Sequence, residues 1–355
     1  MEIALLAPQL SGHRMHWVEQ MLRDANMDGR KVRLYTTNVD ESMFQKYSDV
    51  LGKNEVFTEA NIRTLIRRWR NDINEANCVG VSIEADKILA NMFFAKGDIR
   101  LIIMRPYLEK FTFFGVARFS IKRLLVLLLE SQSNFTVARL SIPFSYKSSH
   151  GFRWIRDNYN TEDIPKNSLP PIIPSELSII PTSAKIVTVP GYLQARKNPV
   201  AAYEAIKETR EVSQEQIYLI FAGIQDDGFK AAFSEIGATK DVLQINRVLS
   251  DRELHGLIKK SDLTFLPYTN RGASGIALYS LVVGTPVLIH GGKNWTNLEK
   301  ILHGYLILGL PGLQNIGQKV NSLLQLPKKS MNPILQAEQI PSVRDFFITK
   351  KVREW

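Results

Sequence analysis

The sequence predicts two doubly wound α/β domains, and three observations carry that prediction. The chain has 355 residues, more than one hydrophobic core organises, and about 150 residues per domain suggests two. Short apolar stretches with strand character alternate with segments of helical spacing in both halves, the rhythm of parallel sheets with helical crossovers. Between the halves, residues 160–183 carry Pro165, Pro170, Pro171, Pro174 and Pro181 among Ser and Asn, which disfavours a regular helix or central strand and reads as a link. The predicted division is a first domain over 1–165, a Pro-rich link over 166–183, a second domain over 184–330, and a C-terminal helical segment over 331–355 with a place to pack back on the first domain.

The elements follow in order. MEIALLAPQL reads as a buried strand running into a loop, and SGHRMHWVEQMLRDA has helical spacing in Met15, Val18, Met21 and Leu22, with Ser11 where an N-cap belongs. KVRLYTTN is a second strand, Asn61–Glu75 a strongly basic helix, CVGVSIEAD a third strand and IRLIIMRPY a fourth. Beyond the link, KIVTVPGYL, QIYLIFAGI, DVLQINRV, DLTFLPY and TPVLIHG read as strands. NPVAAYEAIKETRE, DRELHGLIKKS and SGIALYSLVVG read as helices between them, and Ser342–Trp355 is again helical in spacing.

Apolar content of 45% with 23% charged residues is ordinary globular composition and excludes disorder, collagen and coiled coil. The net charge of +10 favours an anionic partner: a phosphorylated small molecule, a nucleic acid or an acidic membrane surface. A single cysteine, Cys78, excludes an internal disulfide framework and any CxxC site, which fits a reducing cytoplasm. No stretch approaches the roughly 20 apolar residues that cross a bilayer, and the apolar start lacks a basic leader. Glu109–Ser131 stands apart. It joins phenylalanines and leucines to Lys110, Arg118, Lys122 and Arg123 with no acid between Glu109 and Glu130, the composition of an interfacial helix on anionic lipid, or of a core helix with a solvated basic edge. The expected location is cytoplasmic, with peripheral contact to the inner face of the membrane as the finer expectation.

Two stretches concentrate chemistry. In residues 263–289 a strand ends at Pro267, a loop carries Arg271, Gly272, Ala273, Ser274 and Gly275, and a helix follows at once. Such a loop aims backbone N–H groups and the positive end of a helix dipole at one spot, which suits a diphosphate, although most turns of this kind merely start helices. In residues 187–198, VTVPGYLQARKN, a strand and a turn at Gly191 lead to Arg196 and Lys197 before a helix beginning near Pro199. That sets two cations at the carboxyl end of a parallel sheet, where open α/β folds bind ligands. A basic pair at a helix start runs against the macrodipole, so an anionic ligand explains it better than stability does. The bland reading is a solvated pair in the first turn.

These stretches resemble the second domain of glycosyltransferases with the two-Rossmann-domain (GT-B) fold, and most nearly the retaining group called family 4. The G-R-L-x-x-x-K-N segment of that family is matched by Gly191, Leu193, Lys197 and Asn198, with Tyr192 in the Arg position. Leu243–Leu254, Ser261, Asp262, Pro267 and the Gly284-Thr285-Pro286-Val287 run match further segments. The resemblance covers roughly residues 185–325 and is looser before, where Gly12 agrees. It implies two Rossmann-like domains facing across a cleft, donor on the second and acceptor on the first, with the configuration at the transferred carbon retained. The E-x7-E motif of the family falls on Arg271 and Tyr279, so neither glutamate is present, as in some bacterial polysaccharide glycosyltransferases this chain is also similar to. The resemblance further implies backbone contacts to the nucleotide base from Arg247, Val248 and Leu249, with Arg247 equally readable as an exposed strand-end cation.

In the first domain Gly12, His13 and His16 follow the first strand, where a histidine can act as a base or contact phosphate, or simply pack. Glu84 and Asp86 end the third strand, and alternation sends both to one side. Either can deprotonate an acceptor hydroxyl, or cap the next helix. Arg105, before Pro106, is a candidate for an anionic acceptor or the donor phosphates. The six histidines form no HExxH and no Asp-x-Asp motif occurs, so the expectation is no cofactor and no metal. The predicted function is transfer of a sugar from a nucleotide-diphosphate donor to a carbohydrate or lipid-linked acceptor, in surface polysaccharide or glycoconjugate synthesis. Arg196 and Lys197 would stabilise the leaving diphosphate, and Ser274 and Gly275 would bind it through backbone N–H groups. The rivals are a non-catalytic scaffold for an active partner and a nucleotide-sugar epimerase of the same fold. Nucleic-acid binding has the charge but no recognised reading module.

Overall fold

The computed structural model describes residues 2–8, 10, 13–37, 48–75, 78–83, 85, 89–92, 95–103, 113–141, 153–156, 170–237, 239–267, 274–290, 295–302, 304–309 and 315–336. Within these, the side chains of 13–16, 48, 113, 115, 140, 141, 153–156, 290, 307–309, 332 and 336 lie outside the description. Chain contacts divide it into two compact units, each built on its own parallel sheet.

The first unit is a seven-stranded parallel sheet in the order β3-β2-β1-β4-β5-β6-β7. Its strands are β1 Glu2–Leu6, β2 Val32–Thr36, β3 Glu55–Thr58, β4 Cys78–Ser82, β5 Ile99–Ile103, β6 Phe135–Ser141 and β7 Arg153–Arg156. Its helices are α1 His13–Met27, α2 Ser48–Leu51, α3 Ile62–Glu75 and α4 Phe113–Glu130. Strand side chains alternate. Ala4 and Leu6 share one core with Leu65, Ile66, Trp69 and Ile73 of α3 and with Val126 and Leu129 of α4, so these two helices cover the same sheet face. Ile3 and Leu5 are buried on the other face, which a doubly wound sheet leaves to α1 with its buried Trp17, Val18, Met21 and Leu22. Each such aliphatic chain contributes about 1.5–3 kcal/mol on burial. The Trp69 indole N–H donates to the Ala4 carbonyl at 2.8 Å, so the largest side chain of this core satisfies its polar atom as well.

The second unit is a six-stranded parallel sheet in the order β10-β9-β8-β11-β12-β13. The strands are β8 Lys185–Pro190, β9 Ile217–Ala222, β10 Val242–Ile245, β11 Leu263–Leu266, β12 Val287–His290 and β13 Leu306–Gly309. The helices are α5 Pro199–Val212, α6 Asp227–Ser234, α7 Asp251–Lys260, α8 Gly275–Val283, α9 Thr296–Ile301, α10 Ile316–Leu324 and α11 Asn332–Gln336. Chain order runs outward from β8 to β9 and β10, then returns to β11 on the other side of β8. The order therefore reverses between β8 and β11, the position at which open α/β sheets bind ligands. Helix starts follow local chemistry. Pro199 opens α5 behind the Asn198 cap, and Ser250 and Glu253 form a reciprocal capping box on α7.

The predicted strand-helix rhythm is present in both units, with additions. β3 is a half-exposed edge strand, EVFT, with no apolar run to announce it. β6 carries Arg139 within its pattern, and that guanidinium is tied to Glu130 at 2.8 Å. α6 is only eight residues long, capped by Asp226, whose Oδ1 accepts from the Phe229 amide at 2.8 Å. The Pro-rich stretch from Pro170 packs as part of the second unit. Its 3-10 turn Ser175–Ile179 buries Leu177 beside Ile186, Ile220 and Leu257, and the Ile172 amide donates to the Arg252 carbonyl at 3.0 Å. Of the segment 331–355, only 331–336 is described, so its proposed packing on the first domain lies outside the described residues. Among the described residues no helix is long and apolar enough to cross a membrane.

Candidate functional site

The carboxyl edge of the second sheet gathers the strongest set of predicted residues. β8 runs out into Gly191 at φ +91°, and β9 into Gly223 at φ +139°. A Cβ on Gly223 would stand 2.2 Å from the Gly191 carbonyl oxygen, so the two loops touch backbone to backbone and only glycine fits. Hydrogen bonds zip them together: Gly191 N to Ala222 O at 2.8 Å, Leu193 N to Ile224 O at 2.8 Å and Asp226 N to Leu193 O at 2.9 Å. A Cβ on Gly191 would approach Ile276 Cδ1 to 2.9 Å and Lys197 Nζ to 3.7 Å. Gly191, the Lys197 ammonium and the first turn of α8 therefore meet at one point, beside the reversal between β8 and β11.

Lys197 ends a 3-10 turn, Ala195–Lys197, and is 3% exposed. Its Nζ donates to the Pro190 carbonyl at 2.8 Å. Burial, aided by the charge of Arg196, pulls its pKa down to about 7, because withdrawal from water disfavours the charged form. Arg196 itself is exposed, its Nε donating to Gln194 Oε1 at 2.8 Å. Ser274 caps α8, its Oγ accepting from the Ala277 amide at 3.3 Å, and Gly275 is the first helical residue. The first turn of α8 and the buried lysine thus lie on either side of a glycine turn, an arrangement whose charge and helix dipole favour an anion.

Other predicted residues are used differently. The Arg247 guanidinium is held by Glu176 at 2.8 Å and by Glu253 at 2.7 Å. These carboxylates keep Arg247 above its ordinary pKa, and Arg247, with the Ser250 backbone, pulls Glu253 down to about 2. Arg247 thus fastens the 3-10 turn Ser175–Ile179 to the start of α7. Leu249 packs on the core beneath, while Val248 stays 68% exposed at the loop surface. Tyr279 lies against the His255 ring, centroids 4.2 Å apart and 20° from parallel, in a cluster with Ile258. Burial raises its phenol pKa. Its ring joins α8 to α7. Sequence reading missed Gln225, whose amide donates to Asn246 Oδ1 at 3.2 Å and fixes the β9 loop against the end of β10; the signal available was a polar residue three positions after an apolar strand.

In the first unit the order reverses between β1 and β4, whose final residues Leu6 and Ser82 are register partners. The backbone of His13 and His16 forms the first turn of α1 after β1, and their side chains lie outside the described residues. So do Gly12, Glu84, Asp86, Arg105, Lys110, Arg271 and Gly272. Chain order alone brings Gly12 to His16 and Glu84 to Asp86 off the carboxyl ends of neighbouring strands.

Residues 176–339 match the family described as Glycosyl transferases group 1. The matched span takes in Gly191, Lys197, Ser274 and Gly275, so the convergence described above lies inside the matched segment. No curated protein sequence matches the chain. Among solved structures, HepE of Anabaena in complex with UDP is similar at 14% identity and TM-score 0.62, covering 98% of this chain and 97% of that one. A structure titled trehalose-6-phosphate from E. coli bound with UDP-2-fluoro glucose is similar at 9% identity and TM-score 0.61, with 98% and 97% covered. A putative UDP-N-acetylglucosamine 2-epimerase from Listeria monocytogenes is similar at 12% identity and TM-score 0.55, with 98% and 93% covered. At these identities the likeness is one of fold: two Rossmann-like parallel-sheet units in one chain.

Proposed function

We propose that the protein transfers a sugar from a nucleoside-diphosphate donor, held at the carboxyl edge of the second sheet, to a carbohydrate or lipid-linked acceptor. The observation that carries this reading is the convergence of buried Lys197, the Gly191 turn and the N-terminus of α8 at the strand-order reversal. The UDP bound by the Anabaena protein and the UDP-2-fluoro glucose bound in the E. coli structure make a uridine diphosphate sugar the first donor to test.

In the proposed reaction the bond between the anomeric carbon and the diphosphate oxygen breaks, and a bond from that carbon to an acceptor oxygen forms. Negative charge gathers on the leaving diphosphate, where Lys197 becomes fully charged and the α8 amides donate. Arg196 at the loop surface meets the outer phosphate oxygens. The acceptor proton goes to a carboxylate, Glu84 or Asp86, or to the leaving diphosphate itself. Retention of configuration belongs to this proposal through the family resemblance alone. Charge on the diphosphate is assigned here to protein cations and amides, with no metal.

The test is thermal stabilisation by uridine, guanosine, thymidine and cytidine diphosphates and their sugars, repeated with Lys197→Met. A shift selective for one base and lost in the variant supports the donor site, and no shift from any sinks it. The scaffold reading is favoured by one observation, the packing of Tyr279 on His255 where the family resemblance places a glutamate. It predicts nucleotide binding without turnover of any donor, whereas an epimerase would convert the free nucleotide sugar with no acceptor present.

A further inference from the structure

We propose that the outer face of α4 docks the protein on an anionic lipid bilayer. α4 packs on the first sheet through Val126 and Leu129, with Leu125 partly buried against the same core. At about 3.6 residues per turn, Ile121, Leu124, Leu127 and Leu128 fall on the opposite side. All four are exposed, Ile121 at 59% and Leu124 at 57%, and Phe114 and Val116 extend the exposed apolar surface toward the helix start. A helix on a water-facing surface turns its apolar stripe inward and its charges outward. α4 is apolar on both sides, and a contiguous patch of large aliphatic chains marks an interaction surface.

Charge selects the occupant. Arg123 borders the aliphatic stripe, Arg118 is exposed two turns before Leu125 toward the helix start, and Lys122 is half-buried on the packed side. The acid of this helix, Glu130, is taken by Arg139 at 2.8 Å. α3 covers the same sheet face and adds the exposed Arg63 and Arg67. A second copy of a chain with net charge +10 would bring like charge to this face. An anionic bilayer accepts both halves of the pattern: leucines enter the acyl boundary while the flanking guanidinium groups reach lipid phosphates. Docking there goes beyond the transfer reaction and does not depend on it, although it would bring a lipid-linked acceptor within reach.

The experiment is co-sedimentation of the full chain with phosphatidylcholine vesicles, with and without phosphatidylglycerol, across a salt series. Expected is binding to the anionic vesicles that weakens as salt rises and falls at least about tenfold in Leu124→Glu/Leu128→Glu and in Arg118→Ala/Arg123→Ala. The thermal shift with uridine diphosphate should be unchanged in both, which separates a failure of docking from a failure of the donor site. Leu124→Ser/Leu128→Ser repeats the measurement should the glutamates disturb folding. Equal binding of the leucine variants, equal binding to neutral and anionic vesicles, or wild-type protein left in the supernatant overturns the proposal. So does a dimer that the leucine variants dissociate, since the occupant would then be a second copy.

Discussion

Two loops leave the same edge of the second sheet with a cation each, and they put it to opposite uses. After β10, Arg247 remains at the surface and is clasped by Glu176 and Glu253. After β8, Lys197 is withdrawn from water against the Pro190 carbonyl, with its pKa pulled down to about 7. A cation already matched by two carboxylates has little to gain from a ligand. A buried cation whose surroundings disfavour its charge gains the most when a diphosphate arrives. The comparison teaches that position at a ligand-binding edge does not fix a cation's surroundings, and it makes burial against ion pairing the property to test.

The sharpest way to break this comparison is to remove each cation in turn. Lys197→Met is expected to cost about 100-fold or more in transfer and to abolish nucleotide-dependent stabilisation, as losing a preorganised charge at a leaving group does. Arg247→Ala should leave donor affinity within about threefold, in the range of a rim contact. Donor titrations on both variants decide the matter, and a larger loss from Arg247→Ala would reverse the assignment.

Acidity sharpens it next. The folded pKa of Lys197, about 7, lies below its ordinary 10.5, so between those values the unfolded chain binds more protons than the folded one. The contribution to stability therefore rises with pH across that window and falls as pH is lowered toward about 7. Diphosphate binding favours the charged form, so it should take up a proton at about pH 8 and weaken by up to about tenfold per pH unit above 7. Calorimetry in buffers of different ionisation enthalpy reads this, and Lys197→Met should flatten it.

The glycine pair comes third. Gly223→Ala sets a Cβ 2.2 Å from the Gly191 oxygen at φ +139°, which should cost about 1–3 kcal/mol in denaturant unfolding and weaken donor binding by displacing the β8 loop. The smallest effect belongs to Glu253→Gln. Its carboxyl is pulled from 4.5 to about 2, so its stabilisation is present above pH 4.5 and lost as pH falls toward 2. Solvent screening keeps it at about 1 kcal/mol or less. A pH series of thermal melts checks it.

Much of the second unit was legible. The Gly191 turn, Lys197 and the Ser274 cap all lie within a few residues of strand or helix ends, where local chemistry sets conformation. The uses of Arg247 and Tyr279 were not legible. Arg247 pairs with Glu176, 71 positions away, and Tyr279 stacks on His255, 24 positions away (279 − 255). Neither partner leaves a periodic trace at the residue it holds. β3 escaped because an edge strand with one half-solvated face lacks an apolar run, and α6 because two turns give too few positions to show a period.

By itself the sequence determined the alternation of strands and helices, their caps, and the glycines at which the backbone must take positive φ. Each of these is a local balance of burial period, side-chain hydrogen bonding and steric freedom. The tertiary structure alone decided the strand order that reverses between β8 and β11, the contact of Gly223 with Gly191, the ion pairs of Arg247 and the burial of Lys197. Those depend on chain segments that meet only after packing, because the field at a charge is the sum over everything folded around it.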